Sequence, residues 1–296
     1  MLDQRVQTGN PSALVRALGA PRVEVLPFAD TAEHVAKHLP AGSVVPVTAS
    51  PRRGIEPTLR ISEALARDGY RAVPHLAARL VRDRDSVYSL LRRLAAAGID
   101  DAFVIGGDGA HPVGAFDDAL GLLQAMHDIA ERGYVRLPSR LGIAAYPEGH
   151  SRVGEEALRA ALLAKQPLAT YAVTQLCFDP PTVTAFLADL RRGGFRLPVY
   201  AGVPGRVDRR TLLRISGRIG VGDSARFLRK HRHGMLRMLL PRAYDPDRLV
   251  RGLASDLSRP QTGLAGLHLY SFGDIASTEG WRRGLLDELS RPGGDQ

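Results

Sequence analysis

Eight short apolar runs, each separated from the next by a longer polar or amphipathic stretch, most restrict what this chain can fold into. They are RVEVLPF (22–28), SVVPVTA (43–49), YRAVPHL (70–76), DAFVIGG (101–107), RLGIAAY (140–146), YAVTQLCF (171–178), LPVYAGV (197–203) and LAGLHLYSF (264–272). Several are nearly continuous in Val, Ile, Leu and Ala, as parallel strands covered on both faces must be. Between them, TLRISEALARDG (58–69) and DSVYSLLRRLAAAG (85–98) space apolar residues three and four apart and stop at glycine. Helical patterns also run through 115–133, 181–194 and 246–257. Eight strands alternating with helices is the arithmetic of a (β/α)8 barrel. The expected class is α/β, a single-domain TIM barrel over 21–296 with extra helices between strands seven and eight. Residues 1–20 read as a short helical arm closing the barrel bottom. A doubly wound open sheet is the alternative, weakened because no strand runs into a G-x-G-x-x-G turn.

Composition excludes several classes. With 44% hydrophobic and 24% charged residues, the chain is neither disordered nor collagen-like. Its one cysteine, Cys177, rules out an intramolecular disulfide and a zinc site built on several thiolates, and reads as a small core hydrophobe. No run approaches the ~20 apolar residues of a membrane span. The N-terminus lacks a signal-peptide pattern, so the cytoplasm is the expected compartment. The net charge is +9, and of 40 basic residues all but Lys37, Lys165 and Lys230 are arginine. One dense run spans Arg226 to Arg237 and contains one aromatic, Phe227. Without an RNP, zinc-finger or helix-turn-helix signature, no nucleic-acid partner is expected. The run reads as a solvated face or as an attractor of small anions.

Barrel enzymes carry their chemistry at the C-terminal ends of the strands. Those positions hold Glu24, Thr48, His75, Asp108, Tyr146 with Glu148 and His150, Gln175 with Asp179, Gly202, and His268 with Tyr270. A polar group near almost every strand end points to one polar site. Glu24 lies inside an apolar run, where a carboxylate is either paired or functional. Asp108 sits in a glycine-rich turn that favours Asp for backbone reasons alone. His75 reads equally as a satisfied core histidine, and Gln175, inside an apolar strand, needs a partner. Glu148 and His150 lack a third ligand at a convincing spacing, so no metal is expected.

Several of these segments resemble the methylenetetrahydrofolate reductase family. AAYPEGH (144–150) is similar to that family's AAYPE-x-HP segment, and VTQLCFD (173–179) to its I-T-Q-F-F-F-D strand. VEVLP (23–27), PVTA (46–49), AVPHL (72–76), the GGD at 106–108 and LHLYSF (267–272) match other strand ends in the same order. The resemblance covers about 22–275 and implies a barrel that reduces 5,10-methylenetetrahydrofolate to 5-methyltetrahydrofolate. It implies Glu24 as the general acid that opens the ring to a 5-iminium cation and Asp108 as the carboxylate stabilising that cation. Gln175, Asp108 and Tyr270 would bind the substrate.

The departures concern the flavin. The arginine of the family's L-R-G-D motif is Gly106, the H-L-T-C threonine is Ala77, and the flavin-binding Asp and Lys fall on Ala157 and Ala164, with Lys165 adjacent. ASPRRG (49–54) replaces the family's Y-G-A-G-G-S loop. The expectation is therefore a reductase without FAD, taking hydride directly from NADH or NADPH. Thr48, His75, Tyr146, His150 and Gln175 would line the nicotinamide site, with Arg52 and Arg53 on its phosphates. The alternatives are a conventional FAD enzyme with rebuilt contacts and a non-catalytic folate-binding or regulatory protein. The basic run at 226–237 would suit a polyglutamate tail on the substrate. The oligomeric state is not legible.

Overall fold

The computed structural model describes residues 11–108, 111–150, 153–207 and 244–291. Eight parallel strands close into a barrel in chain order: β1 (Arg22–Glu24), β2 (Val44–Val47), β3 (Arg71–Ala77), β4 (Asp101–Ile105), β5 (Arg140–Ala145), β6 (Tyr171–Thr174), β7 (Val199–Pro204) and β8 (Leu264–Tyr270). All eight expected strands form. Each is shorter than its apolar run or of similar length, because the runs continue into the loops that build the mouth.

The helices around the sheet are α1 (Pro11–Gly19), α2 (Thr31–His38), α3 (Glu56–Arg67), α4 (Arg84–Ala96), α5 (Ala119–Glu131), α6 (Glu155–Lys165) and α7 (Pro180–Arg192). After β7 come α8 (Asp247–Gly252), α9 (Ala254–Ser258) and, last, α10 (Ile275–Ser290). Helix starts follow aspartates: the side chains of Asp83, Asp118, Asp179 and Asp274 accept from backbone N–H groups three residues on. That capping starts α5 at 119 rather than 115. It also gives Asp179 a structural duty at the head of α7. The pattern over 246–257 breaks into α8 and α9 at Leu253. Helices α6 and α10 carry weak sequence patterns, α10 containing Gly280 and Gly284, and α2 is short and polar. The basic run at 226–237 lies outside the described residues.

Two apolar regions result from the two-residue period of the strands. Residues such as Val45, Val47, Ala72, Leu76, Val104 and Ile143 face the helices and belong to the main core. Their alternates, Val73, Phe103, Tyr171 and Val173 with Val44, Ile105, Ala144 and Tyr200, form a second cluster drawn from strands alone, which is the barrel lumen. Polar residues close this lumen at both ends. At the N-terminal end Arg22 on β1 reaches Asp101 on β4 and Tyr171 on β6. These strands are not neighbours, so the bonds cross the interior.

The N-terminal helix α1 packs on α9 and α10, and Arg282 of α10 donates to the Leu18 carbonyl at 2.6 Å. It lines one side of the barrel bottom and leaves a cavity of about 600 Å³ there.

Candidate functional site

Glu24 is the third residue of β1, and its parity turns it inward along with Arg22. Its backbone is held from both sides. Ser271 beyond β8 donates to the Glu24 carbonyl through Oγ (2.6 Å) and N (3.3 Å), and Val25 bridges to Val47 of β2. The carboxyl is therefore placed by sheet geometry rather than by a loop.

Two imidazoles bracket it. His268 Nε2 lies 3.0 Å from Glu24 Oε2, and His75 Nε2 stands 3.5 Å away, within charge range but beyond a formed hydrogen bond. The His75 and His268 side chains are buried, and the Glu24 side chain is 12% exposed. Burial lifts the Glu24 pKa from 4.5 to about 7, with His75 pulling the other way. Burial likewise drops His75 from 6.5 to about 4 and His268 well below its ordinary value. Near neutral pH the cluster is thus two uncharged imidazoles around a carboxyl that is as often protonated as not. His75 Nε2 and His268 Nδ1 are buried polar atoms without hydrogen-bond partners, the sort of exception that needs a reason.

Aromatic rings wall the site. His75 packs on Phe103 (centroids 4.8 Å apart), and His268 on Tyr270 at the same separation. Tyr270 stacks with Phe272 and donates to the Thr174 carbonyl at 3.0 Å, crossing from β8 to β6. Room for its ring exists because Gly202 on β7 has no side chain: a Cβ there would sit 2.7 Å from the Tyr270 ring and 2.3 Å from the Thr174 carbonyl. Phe272, at φ 51, is the described residue other than glycine with a left-handed backbone, a strained conformation of the kind found at functional sites. Burial raises the Tyr270 pKa well above its usual value, with Glu24 and Tyr146 adding to the shift. Tyr146 is raised by burial and by the Asp108 carboxylate. Burial is the larger cause in both tyrosines, and the neighbouring charges add to it.

The remaining expected site residues divide. His150 lies beside Tyr146 (rings 5.3 Å apart) in a turn bridged to Val153. Gln175 folds its carbonyl onto its own chain, accepting from the Leu176 N–H at 2.9 Å, and its backbone N–H donates to Ala145. Its partner is therefore local. Thr48 follows β2, and its carbonyl accepts from the Thr58 hydroxyl at 2.7 Å. Arg52 and Arg53 are exposed in the turn closed by Ser50 and Gly54, and Arg53 lies over the Phe28 ring. Among the described residues no hydrogen bond or ion pair joins either arginine to Glu24, His75 or His268. Asp108 is exposed on the loop after β4. Cys177 is buried against Glu148, and burial raises its thiol far above the reactive range. Lys165 lines a second cavity, of about 370 Å³, between α6, α7 and the end of β5. Neither cavity is lined by Glu24, His75 or His268.

Sequence reasoning undervalued His268, the nearest partner of Glu24, and passed over Phe103 and Phe272. The period of the strand already puts His268 on the same face as Tyr270, two residues on. Among the described residues no group of three His, Cys, Asp or Glu has the geometry to hold a metal ion, and no helix is long and apolar enough to cross a membrane.

No model of a known protein family matches the chain. Among solved structures it is similar to a protein from Burkholderia cenocepacia J2315 described as a phosphonomutase, with 13% identity over 93% of this chain and 96% of that one, at a TM-score of 0.48. A lyase/mutase-type protein of the same organism shares 16% identity over 95% of this chain and 87% of that one, at a TM-score of 0.48. The carboxyl transferase domain of Rhizobium etli pyruvate carboxylase shares 9% over 94% of this chain and 47% of that one, at 0.46. These findings correct the family identification. None of the three is a methylenetetrahydrofolate reductase, so the reductase activity, its folate substrate and the ring-opening and cation-stabilising roles drawn from it for Glu24 and Asp108 are not retained. The physical reason lies in the motifs themselves. They are pieces of three to seven residues at strand ends, where every parallel barrel needs small apolar residues followed by a turn. At these identities and TM-scores the likenesses assign no reaction to this chain.

Proposed function

We propose that this chain is an acid–base enzyme working at the C-terminal mouth of its barrel, with Glu24 as the group that exchanges a proton with a small-molecule substrate. The observation that carries this reading is the Glu24 carboxyl held between two neutral, buried imidazoles, with its pKa raised to about 7. A catalytic proton carrier is most effective when its pKa lies near the working pH. Purely structural buried carboxyls are normally ion-paired and held ionised, as Glu279 is between Arg282 and Arg283.

In this reading the protonated carboxyl gives its proton to a heteroatom of the substrate, and the resulting carboxylate recovers one from water or from the product. His75 Nε2, buried 3.5 Å from the carboxyl, favours the carboxylate that the transfer leaves behind. Tyr270, Phe272 and Tyr146 give the mouth a wall suited to a flat molecule, and Asp108 at the rim meets its cationic or hydrogen-bond-donating portion.

The test uses a metabolite mixture in heavy water, read by mass spectrometry for compounds consumed or deuterated by the wild-type protein. Glu24→Gln keeps the shape and removes the titrating proton. It is expected to lower kcat/KM on any compound so found by about 10²–10⁴-fold. A compound turned over equally by both proteins would remove Glu24 from the chemistry.

A further inference from the structure

The opposite end of the barrel holds a cavity of about 600 Å³, within the ordinary range for small-molecule sites. Its lining includes five arginines, Arg16, Arg22, Arg71, Arg140 and Arg282, and a single carboxylate, Glu279. The charges are not equally engaged. Arg282 spends its guanidinium on Glu279 and the Leu18 carbonyl. Arg22 and Arg140 share one oxygen of Asp101, each at 3.2 Å, and each also donates to a tyrosine hydroxyl. Arg71 is exposed at the cavity wall and pairs with no carboxylate among the described residues. Arg22 Nε, on a side chain 3% exposed, is buried without an acceptor. Asp101 therefore answers two guanidinium groups, Arg71 goes unanswered, and one buried N–H donor is left over. The rest of the wall is mostly apolar, with Ala17, Val23, Leu39, Val44 and Leu264 among its members and Ser43 and Tyr200 as its polar side chains.

We infer that this cavity is a binding site for a small organic anion, a molecule with a phosphate or carboxylate head and an apolar body. The head would take the Arg71 and Arg140 guanidinium groups, whose planar forks suit both anions. The body would lie on the alanine and leucine wall contributed by α1 and β8. Helix α1 thus forms one side of a binding cavity at a barrel end where conservation of structure, not catalysis, is the usual expectation. The site lies at the other end of the lumen from the mouth: Arg22 and Arg71 open β1 and β3, whose far ends carry Glu24 and His75, and the charge of Arg22 helps to keep His75 and His268 neutral.

Hexyl phosphate and hexanoate, titrated calorimetrically at low salt, separate the two head groups, and hexanol reports the apolar wall alone. The expected result is saturable binding of at least one of the anions, at one per chain, weakened as salt rises. Arg71→Gln, at an exposed side chain, is expected to weaken binding roughly tenfold. Arg140→Gln should do so to a similar degree, with its thermal unfolding followed to confirm a folded protein. Glu24→Gln should bind as the wild type does, which keeps this inference separate from the reading of the mouth. Equal binding of hexanol, anion binding indifferent to both arginine variants, or no binding at about 1 mM ligand would each overturn it.

Discussion

Strand β1 carries a buried charge at each end of the lumen, and the two are treated in opposite ways. At the bottom, Arg22 meets Asp101 within a network closed by Tyr171, Arg140 and Tyr200, where the Tyr171 hydroxyl donates to Asp101 at 2.7 Å. At the top, two residues on, Glu24 meets no cation, only imidazoles that burial keeps neutral. The first arrangement sets a carboxylate against the buried guanidinium and stitches distant strands together. The second leaves a carboxyl free to change its protonation at little cost near neutral pH. A buried charge supported by an opposite charge is architecture, and one supported by neutral dipoles is a proton carrier.

The largest effect that would break this contrast is expected at the bottom. Asp101→Ala removes the carboxylate that Arg22 and Arg140 share and leaves a guanidinium buried without its counter-charge. Unfolding in urea should show a loss of about 3–5 kcal/mol. A loss near 1 kcal/mol would mean that water, not Asp101, satisfies Arg22, and the two ends would no longer differ in kind.

The top is expected to respond to pH instead. The Glu24 pKa is raised from 4.5 to about 7, so its contribution to stability is whole below about pH 4.5 and is lost as pH rises through about 7. At 1.36 kcal/mol per unit the loss reaches roughly 3 kcal/mol. His75, lowered from 6.5 to about 4, has the opposite sign: its contribution is whole above about pH 6.5 and is lost as pH falls through about 4. The two trends offset one another between them. Glu24→Gln leaves only the histidine trend, so the variant should unfold at a higher temperature than the wild type at pH 8 and lose that advantage by pH 4.5. A variant less stable than the wild type at pH 8 would show that Glu24 is an ordinary paired carboxylate.

Why the top was legible in the sequence and the bottom was not follows from where each charge sits in its run. Glu24 interrupts an apolar segment, and His75, Gln175 and Tyr270 fall near strand ends, so each stands out once eight strands have been recognised. Arg22, Asp101, Arg140 and Tyr171 open their runs, where a polar residue looks like the end of a loop. Only closure of the barrel brings β1, β4 and β6 to a common interior, and no spacing along the chain announces it. Helices α6 and α10 escaped because their apolar stripes are weak, and α2 because eight mostly polar residues are too few to show a period. The barrel needed only the count and order of its units. The family resemblance rested on strand-end pieces that the architecture itself favours, and it assigned a reaction where those pieces support only a strand.

Two glycines sharpen the comparison further, since each makes space for a tyrosine. A Cβ on Gly142 would lie 2.3 Å from the ring of Tyr171 at the bottom, and one on Gly202 would press on Tyr270 at the top. Each alanine substitution should cost about 1–3 kcal/mol of stability through overpacking. Their functional effects should part: Gly202→Ala displaces a wall of the mouth and lowers turnover, whereas Gly142→Ala leaves turnover unchanged at temperatures where the protein is folded. Equal losses of turnover would mean that the two ends of the lumen are mechanically coupled.

The smallest expected effect sets the scale for the others. Arg84 and Asp128 pair at 3.2 Å across α4 and α5, with both side chains about half exposed. The distance equals that of Arg22 to Asp101, so the two pairs differ chiefly in solvent. Water screens the surface pair and hydrates either partner when the other is removed, so Asp128→Ala should change stability by about 0.2–1 kcal/mol at most. Rising salt should shrink even that, while leaving the Asp101→Ala loss nearly intact. If the two losses proved equal, burial would not be what separates a structural charge pair from an incidental one, and the neutral surroundings of Glu24 would lose their meaning as a sign of chemistry.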